Sequence, residues 1–200
     1  MFFMSGDRHA SARRIIAGCL GGNRLPVWQG LLDEQIDTAL KRLGTARQPD
    51  LVEDFAASLF RGITRPILGI DPADTDRFDA RAPILQDVLE PWLPMRELLR
   101  LQEVFDDLLG LMQIPQQPLP DGPKSVLTAM LDAQQDGFEP SDIKALVLVL
   151  YGASFNLSHT LGNVLYWLLI QPQELHWQYR DPAWISRNLE QIISLCASPK

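Results

Sequence analysis

Residues Ile143 to Ile170 form one long apolar segment, and any fold of this chain has to be built around it. The run is interrupted midway by Gly152-Ala153-Ser154-Phe155-Asn156. Gly152, Asn156, Ser158, His159, Gly162 and Asn163 break it before it reaches the ~20 consecutive apolar residues that a bilayer span needs. The segment therefore reads as a core helix buried on most sides. Leu146 to Leu150 and Val164 to Ile170 are apolar all round. Such surface has to be covered by other helices, by a second chain or by a ligand.

The flanking sequence supplies helices and little else. Leu31, Leu32, Ile36, Leu40 and Leu43 recur at three- and four-residue spacing within Val27 to Leu43, which predicts a helix with one apolar stripe. Leu51 to Leu68 repeats the pattern and Gly69 stops it. Asp71 to Asp79 reads as a polar loop, and Pro83 to Leu93 as a short segment broken by Pro91 and Pro94. Arg96 to Met112 is strongly amphipathic, and Ser125 to Gln135 is helical up to Gly137. Glu139-Pro140-Ser141-Asp142 opens the central helix, with Ser141 as its expected cap. No run alternates as a strand does, and no repeat is present. The prediction is an all-α chain forming a single helical domain over 1–200: first helices over 1–113, a Pro-rich linker over 114–123, then the central helix and its successors over 124–200. Two hundred residues can bury one sizeable core.

The central segment resembles the long helix of cytochrome P-450 haem-thiolate monooxygenases. The family motif there is Ala/Gly-Gly-x-Asp/Glu-Thr, and its acid and hydroxyl deliver protons during oxygen activation at the haem. In this chain the acid position reads Phe155 and the hydroxyl position Asn156. A phenyl ring carries no proton, and an amide is a poor relay. A second likeness lies near the start. Asp7-Arg8-His9-Ala10-Ser11-Ala12-Arg13-Arg14 resembles the family's His-x-x-x-Arg helix, which implies a propionate clamp made by His9 and Arg13. The i, i+4 spacing puts both on one helical face. Asp50-Leu51-Val52-Glu53-Asp54-Phe55-Ala56, running on to Leu68-Gly69-Ile70, and the order Gln171-Pro172-Gln173-Glu174, Arg180-Asp181-Pro182-Ala183 also follow the family's course. The likeness extends from about Met4 to Pro199.

Other family features have no counterpart. The haem ligand of the family is a cysteine in a Phe-x-x-Gly-x-x-x-Cys-x-Gly loop. Cys19 and Cys196 sit in helical contexts without those glycines. The family's Glu-x-x-Arg falls on Gln191 and Ser194. The resemblance thus implies an internal helical block, trimmed at both ends, with the scaffold kept and the oxygen chemistry lost. No bound haem, no other cofactor and no metal are expected.

Charge narrows the partners. The net charge of −7 argues against nucleic acid or an anionic membrane. Arg8, Arg13, Arg14 and Arg24 form the one basic cluster, which could receive an anion. Two cysteines far apart in sequence suggest free thiols and a cytoplasmic location.

The expected ligand-binding residues are His9, Arg13, Gly152, Ala153, Phe155, Asn156 and His159. His9 and Arg13 stand at even odds with an ordinary solvated pair. Asn156, His159 and Asn163 form a polar stripe inside an apolar helix. Buried polar groups need partners, so the stripe predicts either an interhelical network or a pocket with hydrogen-bonding groups. His159 and Asp106 are the weak candidates for a catalytic proton donor. Asp106-Asp107 could hold Mg²⁺ and a diphosphate as terpene cyclases do, but Glu103 is the sole nearby carboxylate and a solvated face is the better reading. Trp167, Trp177, Trp184, Tyr166 and Tyr179 read mostly as packing and interface residues. Three functions follow. The first is a haem-free helper or binding protein in a biosynthetic pathway, as in the glycosyltransferase activators that share this fold without the thiolate. The second is a haem-independent enzyme that cyclises or isomerises a terpenoid or polyketide in the apolar pocket. The third is a haem or small-ligand carrier using His9, Arg13 and His159. A monooxygenase working on its own is not expected; a homodimer or an enzyme partner is.

Overall fold

Side-chain caps set the starts of the segments that follow Asp50, Asp74 and Ser125. The computed structural model describes residues 6–45, 47–90, 92–113, 123–133, 139–173 and 176–196, with only the backbone for Arg8, Asn23, Leu25, Val88 and Leu89. The linker expected over 114–123 and the stop at Gly137 lie outside the described residues, apart from Pro123. The α-helices are α1 (Gly6–Leu20), α2 (Leu25–Thr45), α3 (Ser58–Leu68), α4 (Thr75–Arg81), α5 (Met95–Leu111), α6 (Val126–Asp132), α7 (Pro140–Ser154), α8 (Asn156–Leu169), α9 (His176–Tyr179) and α10 (Pro182–Cys196). A 3₁₀ turn covers Gly22–Arg24, a π-helical segment Leu51–Ala57, and a longer 3₁₀ stretch Ala82–Leu89. Asp71–Pro72 (β1) and Met112–Gln113 (β2) pair antiparallel, the one ladder among the described residues. The fold is the all-α architecture predicted, with that two-residue exception.

Several boundaries differ from expectation for identifiable reasons. The Asp-rich stretch predicted as a loop contains α4, because the Asp74 side chain caps it by accepting from the Arg77 N–H at 3.0 Å. Helix α7 begins two residues earlier than Ser141 suggests. Glu139 is its N-cap and Pro140 takes the first helical position, where a missing N–H is harmless. Gly69 ends α3 as predicted, with φ +81° and the Ile70 N–H donating back to the Arg65 carbonyl at 2.9 Å.

The chain packs as two compact units: Met1–Gln35 with Gly62–Phe155, and Ile36–Arg61 with Asn156–Lys200. In the first, α7 is the centre. Its Ile143, Leu146, Val147, Leu148, Tyr151 and Gly152 are buried against the 3₁₀ stretch, α5 and α6. Leu85, Leu101, Val104, Leu108, Val126, Leu127 and Met130 complete this core. Each such side chain contributes about 1.5–3 kcal/mol by leaving water. Helix α1 packs on α6 through a face that buries Ala12 and Ile16.

In the second unit, α8 lies on the π-helical segment and on α10. The Asp50 carboxylate caps the π segment by accepting from the Val52 and Glu53 N–H groups at 2.8 and 3.1 Å. Its own N–H donates to the Asp54 carboxylate at 2.8 Å. This puts Val52 over Gly162, where an added Cβ would meet the valine methyl at 3.2 Å. Tyr179 stacks between Trp167 and Trp184, with ring centroids 6.3 and 5.4 Å away, so these aromatics pack as predicted. The α2 stripe is less covered than its spacing suggests: Trp28 and Ala39 are buried, while Ile36 and Leu40 are exposed. Leu169 and Ile170 are also exposed.

By length and mean hydropathy alone, Pro140–Leu169 is apolar enough to cross a membrane, so its polar residues do not lower it below that mark as the sequence suggested. In the structure the first half of the segment is the core helix just described.

Candidate functional site

The apolar run breaks into α7 and α8 at Phe155. The Phe155 N–H donates to the Gly152 carbonyl at 3.3 Å, a three-residue step that leaves the α-helical ladder. The Ser154 hydroxyl donates to the Tyr151 carbonyl at 2.7 Å, which occupies a second backbone acceptor of the last turn. Local side-chain bonding of this kind loosens a helix.

Around the end of α7 the space is filled. Phe155 is 7% exposed and meets Tyr151 edge-on at 5.1 Å between centroids. Tyr151 in turn tilts against Phe78 of α4 at 5.8 Å. The Arg65 guanidinium covers the other side of Phe78 at 5.5 Å and forms an ion pair with Asp79. Gly152 is buried because the 3₁₀ stretch comes so close: a Cβ there would stand 2.8 Å from the Leu85 Cβ and 3.1 Å from its carbonyl oxygen. Of the residues expected to bind a ligand, Gly152 and Phe155 are therefore core residues of the first unit, and Ala153 is half-buried.

The polar stripe of α8 does not lie in the core. Asn156, His159 and Asn163 are all exposed, which corrects the expectation of a buried network. The helix turns Ser158 and Gly162 inward instead, with Gly162 close beneath Val52. Asn163 has a structural role: its amide donates to the Cys196 carbonyl at 3.0 Å and ties α8 to the last turn of α10.

His9 is half-buried and Arg13 exposed on α1, one turn apart. Arg14 is exposed. Arg24 donates to the Gly18 carbonyl at 2.9 Å and so closes the C-terminal end of α1. The carboxylate pair of α5 is divided in role. Asp106 is exposed. Asp107 is gripped by Arg77 and Arg81 of α4, the latter at 3.0 Å, which joins α4 to α5 and leaves no carboxylate pair for Mg²⁺. No group of three His, Cys, Asp or Glu residues able to hold a metal exists among the described residues.

One feature escaped the sequence. In the second unit an open cleft of about 180 Å³ is lined by Arg42, Glu53, Asp54, Ser58 and Arg61, and Arg42 donates to the Ser58 hydroxyl at 3.0 Å. Its signal was the acid pair Glu53-Asp54 followed by Arg61, which looks like an ordinary solvated helix face unless the π segment is known.

The order of these helices identifies the chain once it is set beside known proteins. It is 22% identical over 188 residues to cytochrome P450 107B1 of Saccharopolyspora erythraea, covering 92% of this chain and 45% of that protein. It is 23% identical over 194 residues to the vitamin D(3) 25-hydroxylase of Pseudonocardia autotrophica, covering 96% and 47%. The chain is cytochrome P450-like. No family model matches it. Among solved structures, cytochrome P450 260B1 of Sorangium cellulosum So Ce56 superposes with a TM-score of 0.68 at 20% identity, over 98% of this P450-like chain and 51% of that one. CYP154A1 of Streptomyces coelicolor A3(2) gives 0.67 at 18% identity, over 96% and 47%. The P450-like chain spans about half the length of the curated relatives it matches.

Cys19 lies in α1 and Cys196 closes α10, so neither sits in a loop of the kind that holds a haem thiolate. Burial pushes the Cys19 thiol up, against a smaller lowering by Arg24, and burial alone raises Cys196. Phe155, which the sequence resemblance sets at the family's acid, is a buried ring packed edge-on against Tyr151.

Proposed function

We propose that this P450-like chain is a haem-free binding or helper protein of a biosynthetic pathway, without monooxygenase activity of its own. The observation that carries this reading is Phe155: the residue at the proton-delivering position is buried, edge-on to Tyr151, and cannot exchange a proton. Its work is recognition of an enzyme partner or of an apolar small molecule. The second unit offers apolar surface for this on α8 and α10, where Leu157, Tyr166 and Leu195 are exposed. The haem-independent enzyme is not retained. Its two candidate donors, His159 and Asp106, are both exposed, and a cyclisation needs its acid inside a dry cavity. The carrier reading lacks a supporting observation, since Arg13 and His159 are both exposed.

The test is haemin titration followed by reduction under carbon monoxide. The expected result is a spectrum equal to that of haemin in buffer. A protein-dependent Soret shift that disappears in His9→Ala/Arg13→Ala would refute the haem-free reading and restore the carrier.

A further inference from the structure

The outward face of α5 is exposed among the described residues. Its inward face buries Leu101, Val104 and Leu108. On the opposite side Met95 and Leu99 are 71% and 60% exposed, preceded by Trp92 at 91%. Gly110 continues the stripe with open space where a Cβ would point. The charges along this face are divided by sense: Arg96 and Arg100 on the N-terminal half, Glu103 and Asp106 on the C-terminal half. The Arg96 and Glu103 side chains are 91% and 78% exposed, Glu103 lying 4.0 Å from Arg81 of α4, a surface pair worth little.

We propose that this face pairs with α5 of a second copy of the chain, antiparallel and about a twofold axis near Leu99. A face that is basic at one end and acidic at the other is complementary to itself only in the antiparallel sense, and a twofold interface is made of one patch used twice. Helical spacing puts Arg96 and Glu103 on the same flank of the stripe, seven residues apart and symmetric about Leu99–Arg100. Arg96 then meets Glu103 of the partner subunit, twice per dimer. Leu99 meets Leu99 of the partner subunit, and Trp92 lies over the end of the opposite helix, where Gly110 of the partner subunit leaves room. The apolar residues supply the affinity, while the charges set register and direction. Arg96 and Arg100 also pair with Glu97 within the helix, at 3.0 and 3.6 Å, but these are surface pairs worth little. One helix face is small as specific interfaces go, so the dimer is in the micromolar class.

The experiment is sedimentation velocity of the full chain between about 1 and 200 μM, the range over which a small interface equilibrates. The parent is expected to shift from monomer to dimer across this range. Leu99→Glu is expected to remain monomeric throughout. Arg96→Glu and Glu103→Arg each place like charges together twice and are expected to raise Kd about tenfold. The double variant Arg96→Glu/Glu103→Arg restores the pairing and is expected to return to the parent Kd. Circular dichroism keeps loss of folding apart from loss of pairing, and all three sites are exposed. A monomeric parent at 200 μM, or a dimer indifferent to Leu99→Glu, overturns the proposal. So does a double variant that adds the two defects instead of cancelling them. A monomer that co-floats with phosphatidylcholine–phosphatidylglycerol vesicles, and ceases to do so as Trp92→Ala, assigns the face to lipid and equally overturns it.

Discussion

Phe155, on which the haem-free reading rests, is held by its neighbours: its ring meets Tyr151, Tyr151 packs on Phe78, and the Arg65–Asp79 pair lies against Phe78. Phe155→Glu removes an aromatic contact and buries an unpaired carboxylate, so a loss of roughly 3–5 kcal/mol is expected. In a chain of this size that is a fall in Tm of about 10 °C. A melt within 2 °C of the parent would mean that the ring is not in a packed core. The two thiols make a second residue-scale prediction. Burial raises both above the ordinary value of 9.0, and a raised thiol is less ionised at any given pH. Reaction with a disulfide reagent at pH 7.5 should therefore be slower than for free cysteine, and its rate should continue to climb above pH 9; a plateau below pH 8 would contradict the burial. At this scale the sequence was informative about identity and misleading about environment. The substitutions at Phe155 and Asn156 were legible because they are read by type. The exposure of Asn156, His159 and Asn163 was not, because the inward side of α8 is the one that packs on the π-helical segment, about a hundred positions earlier, and on α10.

Among the elements, the helices were legible and their irregularities were not. Periodicity found α2, α3, α5, α6 and the central segment. Helix α4 was lost because it has few apolar positions and its start depends on one side-chain cap at Asp74. The π-helical segment leaves no periodic trace over seven residues. Glycine substitutions test the packing of elements directly. Gly30 lies on an open face of α2, with nothing within 4 Å of an added Cβ. Gly30→Ala should therefore gain up to about 1 kcal/mol from helix propensity. Gly152→Ala should instead lose about 1–3 kcal/mol, because its Cβ runs into the 3₁₀ stretch at Leu85 and overpacking outweighs propensity. Denaturant midpoints of the two variants should move in opposite directions; movement in the same direction would sink the close approach of α7 to Leu85.

For the whole molecule, composition was a better guide to behaviour than to architecture. The net charge is −7 at pH 7 and the isoelectric point about 4.9. The chain also exposes large apolar residues, among them Trp92, Tyr166 and Trp177. Repulsion that keeps such surfaces apart fades as the net charge approaches zero. Turbidity should therefore peak near pH 5 and be absent at pH 8, and a flat profile would mean that these surfaces do not associate. The all-α class was legible because helical spacing runs nearly from end to end. The division into two units was not, since each is assembled from two separated stretches and no composition shift marks where they alternate.

That alternation gives synthesis a fixed order of events. Ile36–Arg61 leaves the ribosome before Gly62–Phe155, yet the residues that complete its unit begin only at Asn156. At about 5–20 residues per second the intervening stretch takes roughly 5–20 s to make. Throughout that interval the π-helical segment, with Val52 and its neighbours, has no α8 to lie on. The first unit can close while the second waits half-made on the nascent chain, so the waiting segment is where a chaperone, or another nascent copy on the same message, would first find purchase.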